Sequence, residues 1–351
     1  MKINDIVNVI SETDRSMEKA AMEKIDGKTK PAGSLGTLES IAVRMCVIRK
    51  TLKPKAEKKA VFVFAGDHGI TSEGISAYPQ EVTSQMVMNF INGGAAINVL
   101  CRHGRIGLHV IDMGVNHDFG KNTGIISRKI SMGTKNFLRE PAMKRPEAEE
   151  SVIAGYEIVD ERIRKDGLEI IGVGDMGIGN TASSSAIISS ALGIGAEETT
   201  WRGTGIDDES LKKKILVINE SIKLHRPDPA DAVDMLSKVG GFEIGGMAGA
   251  VLAAAANGIP VVLDGIISCA AGLLANILNP RSSGYMFAAH RSVEKGQSHA
   301  LGALGLVPIL DLGMRLGEGT GAALAMGIID ASCRIMIDMA SFAEAGVSGK
   351  K

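Results

Sequence analysis

The chain has 351 residues, and its 39 Lys and Arg nearly balance its 40 Asp and Glu, for a formal net charge of −1. That balance leaves no basic footprint for nucleic acid or for an anionic membrane. With 45% hydrophobic residues, 3% aromatic and 43 glycines, the chain can bury a large core in one domain or two unequal ones. The same composition suits an α/β protein whose helices pack closely on a sheet and whose loops carry glycine.

The N-terminal segment, with Asp5, Glu12 and Asp14, lacks the basic start and apolar run of a signal peptide. Residues 1 to about 58 read as charged amphipathic helices broken at Lys30-Pro31-Ala32-Gly33. Beyond them, short apolar runs at 60–65, 107–112, 168–173, 260–264, 285–288 and 307–311 read as strands. Helical patterns intervene at 82–100, 181–192, 210–224, 247–257 and 319–339. In the first of these, Val82, Met86 and Phe90 recur every fourth residue, one face of a helix. Strand and helix alternating at this interval predict right-handed crossovers and a mostly parallel sheet covered on both faces.

The stretch 139–150, rich in Pro, Lys and Glu, reads as an exposed connection or the start of a surface helix. The apolar run near 248–256 is too short to span a bilayer and ends at Asn257-Gly258. The cysteines, Cys46, Cys101, Cys269 and Cys333, show no CxxC spacing. Cys101 and Cys269 sit in apolar helical surroundings and read as buried, inert thiols of a reducing compartment. A small helical domain formed by 1–58 with 315–351, beside an α/β domain at 59–314, is the expected arrangement, in a cytoplasmic protein without membrane or nucleic-acid partners.

Ligands of open parallel sheets bind beyond the carboxyl ends of the strands. The unusual residues cluster there: Gly66-Asp67-His68-Gly69, Gly174-Asp175-Met176-Gly177, Asp264-Gly265, His290-Arg291-Ser292 and Gly317-Glu318-Gly319-Thr320-Gly321. Residues 172–177 match GxGxxG, with Glu197 or Glu198 at the distance expected for a ribose contact, so a dinucleotide site is one reading. The segment runs on through Ile178-Gly179-Asn180-Thr181 into a helix, which equally suits a mononucleotide phosphate at the helix's positive end.

A second glycine turn, Arg202-Gly203-Thr204-Gly205, precedes a helix bearing Lys212, Lys213 and Lys214. The turn is another candidate cradle, and the lysines by themselves read as a solvated face. Glu318 stands among glycines directly before an apolar helix, where it could be a helix cap or a general base in a confined site. Asp67, His68, His290, Glu294 and His299 show no metal-ligand spacing, and hydrogen-bonded supporting histidines are expected instead.

In order along residues 30 to 326, these segments resemble the nicotinate-nucleotide:dimethylbenzimidazole phosphoribosyltransferase family of cobamide biosynthesis. The resemblance is carried by Lys30-Pro31 with Gly33-Ser34-Leu35-Gly36, Ala65-Gly66-Asp67-His68-Gly69-Ile70, Glu73-Gly74 and Tyr78-Pro79-Gln80-Glu81-Val82-Thr83. It continues through Gly177-Ile178-Gly179-Asn180-Thr181, Arg202-Gly203-Thr204-Gly205, Glu243-Ile244-Gly245-Gly246, Asp264-Gly265 and Leu316-Gly317-Glu318-Gly319-Thr320-Gly321.

The resemblance implies a Rossmann-like sheet, a small helical domain and a dimer, with a heterodimer of related chains as the variant found among phenol-activating relatives. It implies Glu318 as general base. It also implies Gly177, Ile178, Gly179, Asn180, Thr181, Gly203, Thr204, Gly205, Ser292 and Lys214 as the phosphate and ribose site, and Tyr78, Met86, Met176 and Leu316 as the acceptor pocket. Many members carry glutamate where this chain has Asp175, which keeps the charge but reaches one methylene less far. Neither metal nor redox cofactor is implied, because nicotinate mononucleotide carries a pyridinium leaving group. An NAD-dependent oxidoreductase and a non-catalytic partner subunit are the rival classes.

Overall fold

The computed structural model describes residues 1–121, 123–203 and 205–348. Its centre is a seven-stranded sheet in the order β3-β2-β1-β4-β5-β6-β7, every pair parallel. The strands are β1 (Lys59–Gly66), β2 (Gly107–Gly114), β3 (Ile126–Ser127), β4 (Ile170–Met176), β5 (Val261–Leu263), β6 (Met286–His290) and β7 (Pro308–Leu310). The order runs one way from β1 to β3 and the other way from β4 to β7, so the topological switch lies between β1 and β4. This is the doubly wound α/β architecture, and the crevice for a ligand opens at the carboxyl ends beside that switch.

Both sheet faces are covered, which is why the central strands are apolar throughout rather than alternating. Phe64 of β1 lies against Gly246 of the helix Phe242–Ala256, whereas Val61 lies against Gly319 at the start of the helix Thr320–Asp338. An odd and an even residue of one strand point to opposite faces. The helices Phe242–Ala256 and Ile266–Leu278 thus cover one face, and Thr320–Asp338 the other. One described helix, Thr320–Asp338, is long and apolar enough by length and composition to cross a membrane. Its apolar face is buried on β4, β5, β6 and β7.

The terminal helices Ser16–Asp26 and Thr37–Arg49 pack on each other, and Thr37–Arg49 packs on Thr320–Asp338. A small separate core of Ala21, Ile25, Ala42, Cys46 and Met336 joins them. Ile6 and Ile10, although N-terminal, belong to the main core instead. The break at Lys30-Pro31 is held by Glu39, whose carboxylate accepts the Leu35 and Gly33 N–H groups at 2.8 and 3.2 Å and lies 2.8 Å from Lys30 Nζ.

One local expectation needs correction, and the structure adds detail to others. The single helix expected over 82–100 is two, Val82–Ile91 and Ala96–Gly104, because Gly93 takes φ 79° between them. The stretch 139–150 is, as expected, a largely exposed connection and the start of a helix, Arg145–Asp166, whose inner face packs against Phe242–Ala256. Its charged residues sit on the outer face, and they dominate the local composition. The edge strand β3 and the helices Ala232–Val239, Ile266–Leu278 and Lys295–Leu304 add to the elements expected from the sequence.

Candidate active site

A cleft of about 370 Å³ opens over the ends of β4, β5 and β6. It brings together most of the residues singled out in the sequence: Tyr78, Met86, Asp175, Met176, Gly177, Ile178, Asn180, Thr181, Gly203, Ser292, Leu316 and Glu318. Gly179 and Lys214 line a smaller depression that shares Gly177, Ile178, Asn180 and Thr181 with the cleft. Gly205 is exposed and lines neither. Thr204 lies outside the described residues.

Glu318 stands on a turn whose three residues, Gly317, Glu318 and Gly319, have φ of 87°, 63° and 83°. A left-handed conformation at a residue with a β-carbon costs of order 1–3 kcal/mol and persists only where the surroundings enforce it. Gly174 of β4 lets the turn settle: a Cβ there would lie 2.3 Å from the Gly319 nitrogen and 2.5 Å from the Glu318 carbonyl carbon. Glu318 is 5% exposed, and its Oε2 accepts the Ile97 N–H at 3.3 Å, at the start of the helix Ala96–Gly104. Burial raises its pKa above the ordinary glutamate value, the Ile97 hydrogen bond opposes the rise, and the charge of Asp264 adds to it. A carboxylate so placed is a stronger base than one in water.

Asp175 ends β4 on the same side. Its Oδ2 accepts from Asn180 Nδ2 at 2.8 Å, while its buried Oδ1 has no partner among the described residues. Burial, then the charges of Asp264 and Glu243, push its pKa well above the usual aspartate range. That environment favours the protonated form relative to an aspartate in water.

The opposite side is cationic. Lys214 is only 2% exposed, unlike Lys212 and Lys213, and its Nζ lies 2.7 Å from Thr181 Oγ1. Burial lowers its pKa to about 8, and Glu294 opposes the fall. The Gly203 N–H, a candidate phosphate donor from the sequence, donates to Glu294 Oε1 at 2.9 Å. The 177–181 turn is fastened from a third element, because Thr83 Oγ1 accepts the Ile178 N–H at 3.1 Å. In the sequence Thr83 stands out only as part of a family stretch and Glu294 only as a candidate metal ligand; their contacts in the fold give them these holding parts.

The histidines and the GxGxxG match resolve differently. His68 is fully buried, with Nε2 2.6 Å from Glu243 Oε1 and Nδ1 3.0 Å from Ser183 Oγ. His290 Nε2 is 3.9 Å from Asp264 Oδ1, and His299 pairs loosely at the surface with Glu198. Among the described residues no three His, Cys, Asp or Glu side chains converge as a metal site. Gly172 and Gly174 lie inside β4, not in the turn after it, and they accommodate Ala322, Met326 and the Glu318 turn. Glu197 and Glu198 are exposed and do not line the cleft. The glycine pattern thus serves helix–strand packing, which removes the basis of the dinucleotide reading.

Comparison with known proteins gives the same family. The profile of the family described as Phosphoribosyltransferase matches residues 10–347. The nicotinate-nucleotide–dimethylbenzimidazole phosphoribosyltransferase of Geobacter sulfurreducens is 51% identical over 346 residues, covering 99% of this chain and 98% of the relative. The protein of the same name from Geobacter sp. is 53% identical over 339 residues, 97% of each. The crystal structure of that enzyme from Thermus thermophilus superposes with a TM-score of 0.91 at 40% identity, covering 96% of this chain and 100% of the other. On its sequence, its fold and the contents of its cleft, the chain belongs to the nicotinate-nucleotide–dimethylbenzimidazole phosphoribosyltransferase family.

Proposed function

We propose that this chain transfers the phosphoribosyl group of nicotinate mononucleotide to an aromatic lower-ligand base, 5,6-dimethylbenzimidazole or a close relative. The products are the α-riboside 5'-phosphate and nicotinate, and the step belongs to nucleotide-loop assembly of a cobamide. The observation that carries this reading is the buried Glu318 carboxylate, held in a left-handed turn across the cleft from Lys214 and the glycine turn at 177–181.

The nucleotide phosphate sits at the start of the helix Asn180–Leu192, beside Lys214, Thr181, Ser292 and Gly203. The ribose then reaches toward Glu318. An acceptor ring lies among Tyr78, Met86, Met176 and Leu316, which offer adaptable apolar surface to a flat ring. The acceptor nitrogen's lone pair forms the new bond to the anomeric carbon from the face opposite nicotinate, inverting β to α. The bond to the pyridinium nitrogen breaks, and its electron pair stays on that nitrogen, so nicotinate leaves as a carboxylate with an uncharged pyridine ring. Glu318 takes the acceptor's N–H proton. Positioning of the two substrates contributes about 7–11 kcal/mol in favourable cases and a general base about 10²–10⁴-fold. The leaving group needs no acid, so the chemistry calls for no cofactor.

Asp175 is assigned a hydrogen-bonding part beside the acceptor. The helices of 1–58 with 315–351 are read as a small domain, and 59–314 as the catalytic one. A cytoplasmic homodimer is the proposed assembly, with Tyr78 and Leu316 exposed at the cleft mouth for a second copy to cover; pairing with a related chain is the alternative outcome of a mass measurement in solution. The activity is tested by incubating the pure chain with nicotinate mononucleotide and a panel of benzimidazoles, purines and phenols. A product of the mass of the benzimidazole riboside phosphate is expected. Intact nicotinate mononucleotide with every acceptor overturns the reading.

A further inference from the structure

Asp264, directly after β5, is fully buried and does not line the cleft, although its neighbour Gly265 does. Both carboxylate oxygens are engaged by the segment that carries Glu318. Oδ2 accepts the Gly319 N–H at 3.0 Å, and Oδ1 accepts the Ala322 N–H at 3.1 Å. First-turn N–H groups have no partner inside their own helix. The N-cap of the helix Thr320–Asp338 is Gly319, which has no side chain to offer. Asp264 supplies the missing cap from another strand, with its negative charge at the positive end of the helix.

The geometry leaves no slack. The three left-handed residues 317–319 rest on Gly174 from below. A Cβ at Gly321 would lie 2.8 Å from Asp264 Oδ1 and 2.2 Å from His290 Cδ2. Loss of the Asp264 bonds frees both the helix start and the turn before it, and Glu318 moves with that turn. The titratable groups facing Asp264 are His290 from β6, Asp175 from β4, Cys269 from the following helix, and Glu318 itself.

We propose that Asp264 is the positioning residue of the Glu318 base, holding the 317–319 turn so that the Glu318 carboxylate is presented to the cleft. The inference rests on Glu318 being the base. Asp264 touches neither substrate, so its effect passes entirely through Glu318.

A double-mutant cycle tests this. Turnover of nicotinate mononucleotide with dimethylbenzimidazole is measured for wild type, Asp264→Asn, Glu318→Gln and the double variant. Calorimetric affinity for nicotinate mononucleotide and thermal melting are measured on each. Asn keeps the size but turns one acceptor into a donor facing an N–H. The expected result is a kcat loss of about tenfold or more for Asp264→Asn, with nucleotide affinity within about threefold of wild type. In the Glu318→Gln background the same change should alter the residual rate by less than about twofold, because the group it positions is gone.

Equal losses in both backgrounds, or an affinity loss that matches the kcat loss, overturns the proposal. If the Asn variant does not fold, Asp264→Ser carries the same cycle with the same expectation. Failure of both to fold assigns Asp264 to the fold and overturns the proposal. Wild-type turnover by Glu318→Gln overturns the base assignment and this inference with it. Wild-type turnover by Asp264→Asn beside an inactive Glu318→Gln overturns this inference alone.

Discussion

On one wall of the cleft stand the carboxyl groups of Asp175 and Glu318, with the fully buried carboxyl of Asp264 behind them at the end of β5 and the start of the helix Thr320–Asp338. On the other, Lys214 Nζ lies against Thr181 in the first turn of the helix Asn180–Leu192. Burial is the main reason that the pKa of each of these carboxyls rises; on the second wall burial lowers the pKa of the lysine to about 8, and the nearby Glu294 carboxylate opposes the fall. In the proposed reaction the substrate carries an anionic phosphate at one end and, at the other, a pyridinium ring whose positive charge is offset by its own carboxylate. The walls also differ in how they are held. On the Lys214 side, Thr83 and Glu294 accept the Ile178 and Gly203 N–H groups, whereas the Glu318 turn depends on left-handed backbone and one capping carboxylate.

Removing the base should erase the most activity. Glu318→Gln is nearly isosteric and cannot take a proton, so kcat should fall by about 10²-fold or more while nucleotide affinity stays within a few fold. Rapid-quench turnover together with calorimetry checks this, and a parallel loss of affinity would place Glu318 in nucleotide binding instead.

The opposite wall should respond in the opposite parameter. Lys214→Met removes a charge-assisted contact of about 2 kcal/mol, roughly 30-fold in affinity for nicotinate mononucleotide, with a smaller effect on kcat. Titration calorimetry distinguishes the two patterns. An unchanged affinity would move the phosphate away from Lys214.

A pH series separates the walls further. Burial lowers the Lys214 pKa to about 8, so its charge is present below that pH and is lost as pH rises through it. Wild-type affinity for nicotinate mononucleotide should weaken above pH 8, approaching about tenfold per unit, and Lys214→Met should be flat over the same range. A wild type as flat as the variant would show that the lysine charge does not serve the nucleotide.

The smallest effect is expected at the mouth. Tyr78 is half exposed beside Met86 and Met176, and Tyr78→Ser should raise KM for dimethylbenzimidazole about threefold, equivalent to a partial aromatic contact of about 0.7 kcal/mol. KM for nicotinate mononucleotide should not change. A rise in the nucleotide KM instead would assign Tyr78 to the nucleotide side.

Much of the fold was legible in the sequence, because an apolar run between glycines and a four-residue helical spacing are local properties of the chain. The strand expected over 60–65 is Lys59–Gly66, and that over 285–288 is Met286–His290. Clustering of acids and glycines just after these runs located the cleft, since side chains at strand ends in a parallel sheet must converge on one edge. The family resemblance added roles to residues that spacing alone left open, such as Lys214 among three lysines.

Other features became visible only in three dimensions. The two residues of β3 have no pattern of their own; they form a strand because the edge of β2 offers unpaired backbone groups. The GxGxxG match suits a nucleotide turn, yet Gly172 and Gly174 face the helix Thr320–Asp338 and the Glu318 turn, a contact between segments far apart in the sequence.

Sequence by itself determined the alternation of elements, the apolar strands and the chemical character of the ends, because each depends on residues within a turn or two of one another. Tertiary structure decided which of three lysines is buried, which carboxyl caps the helix that follows Glu318, and which threonine fastens the 177–181 turn. Each of these is a hydrogen bond or an exclusion of water between segments distant in the chain: Lys214 with Thr181, Asp264 with Gly319 and Ala322, Thr83 with Ile178. Their strength comes from burial in a low-dielectric interior, and burial is a property of the assembled layers rather than of any stretch of residues.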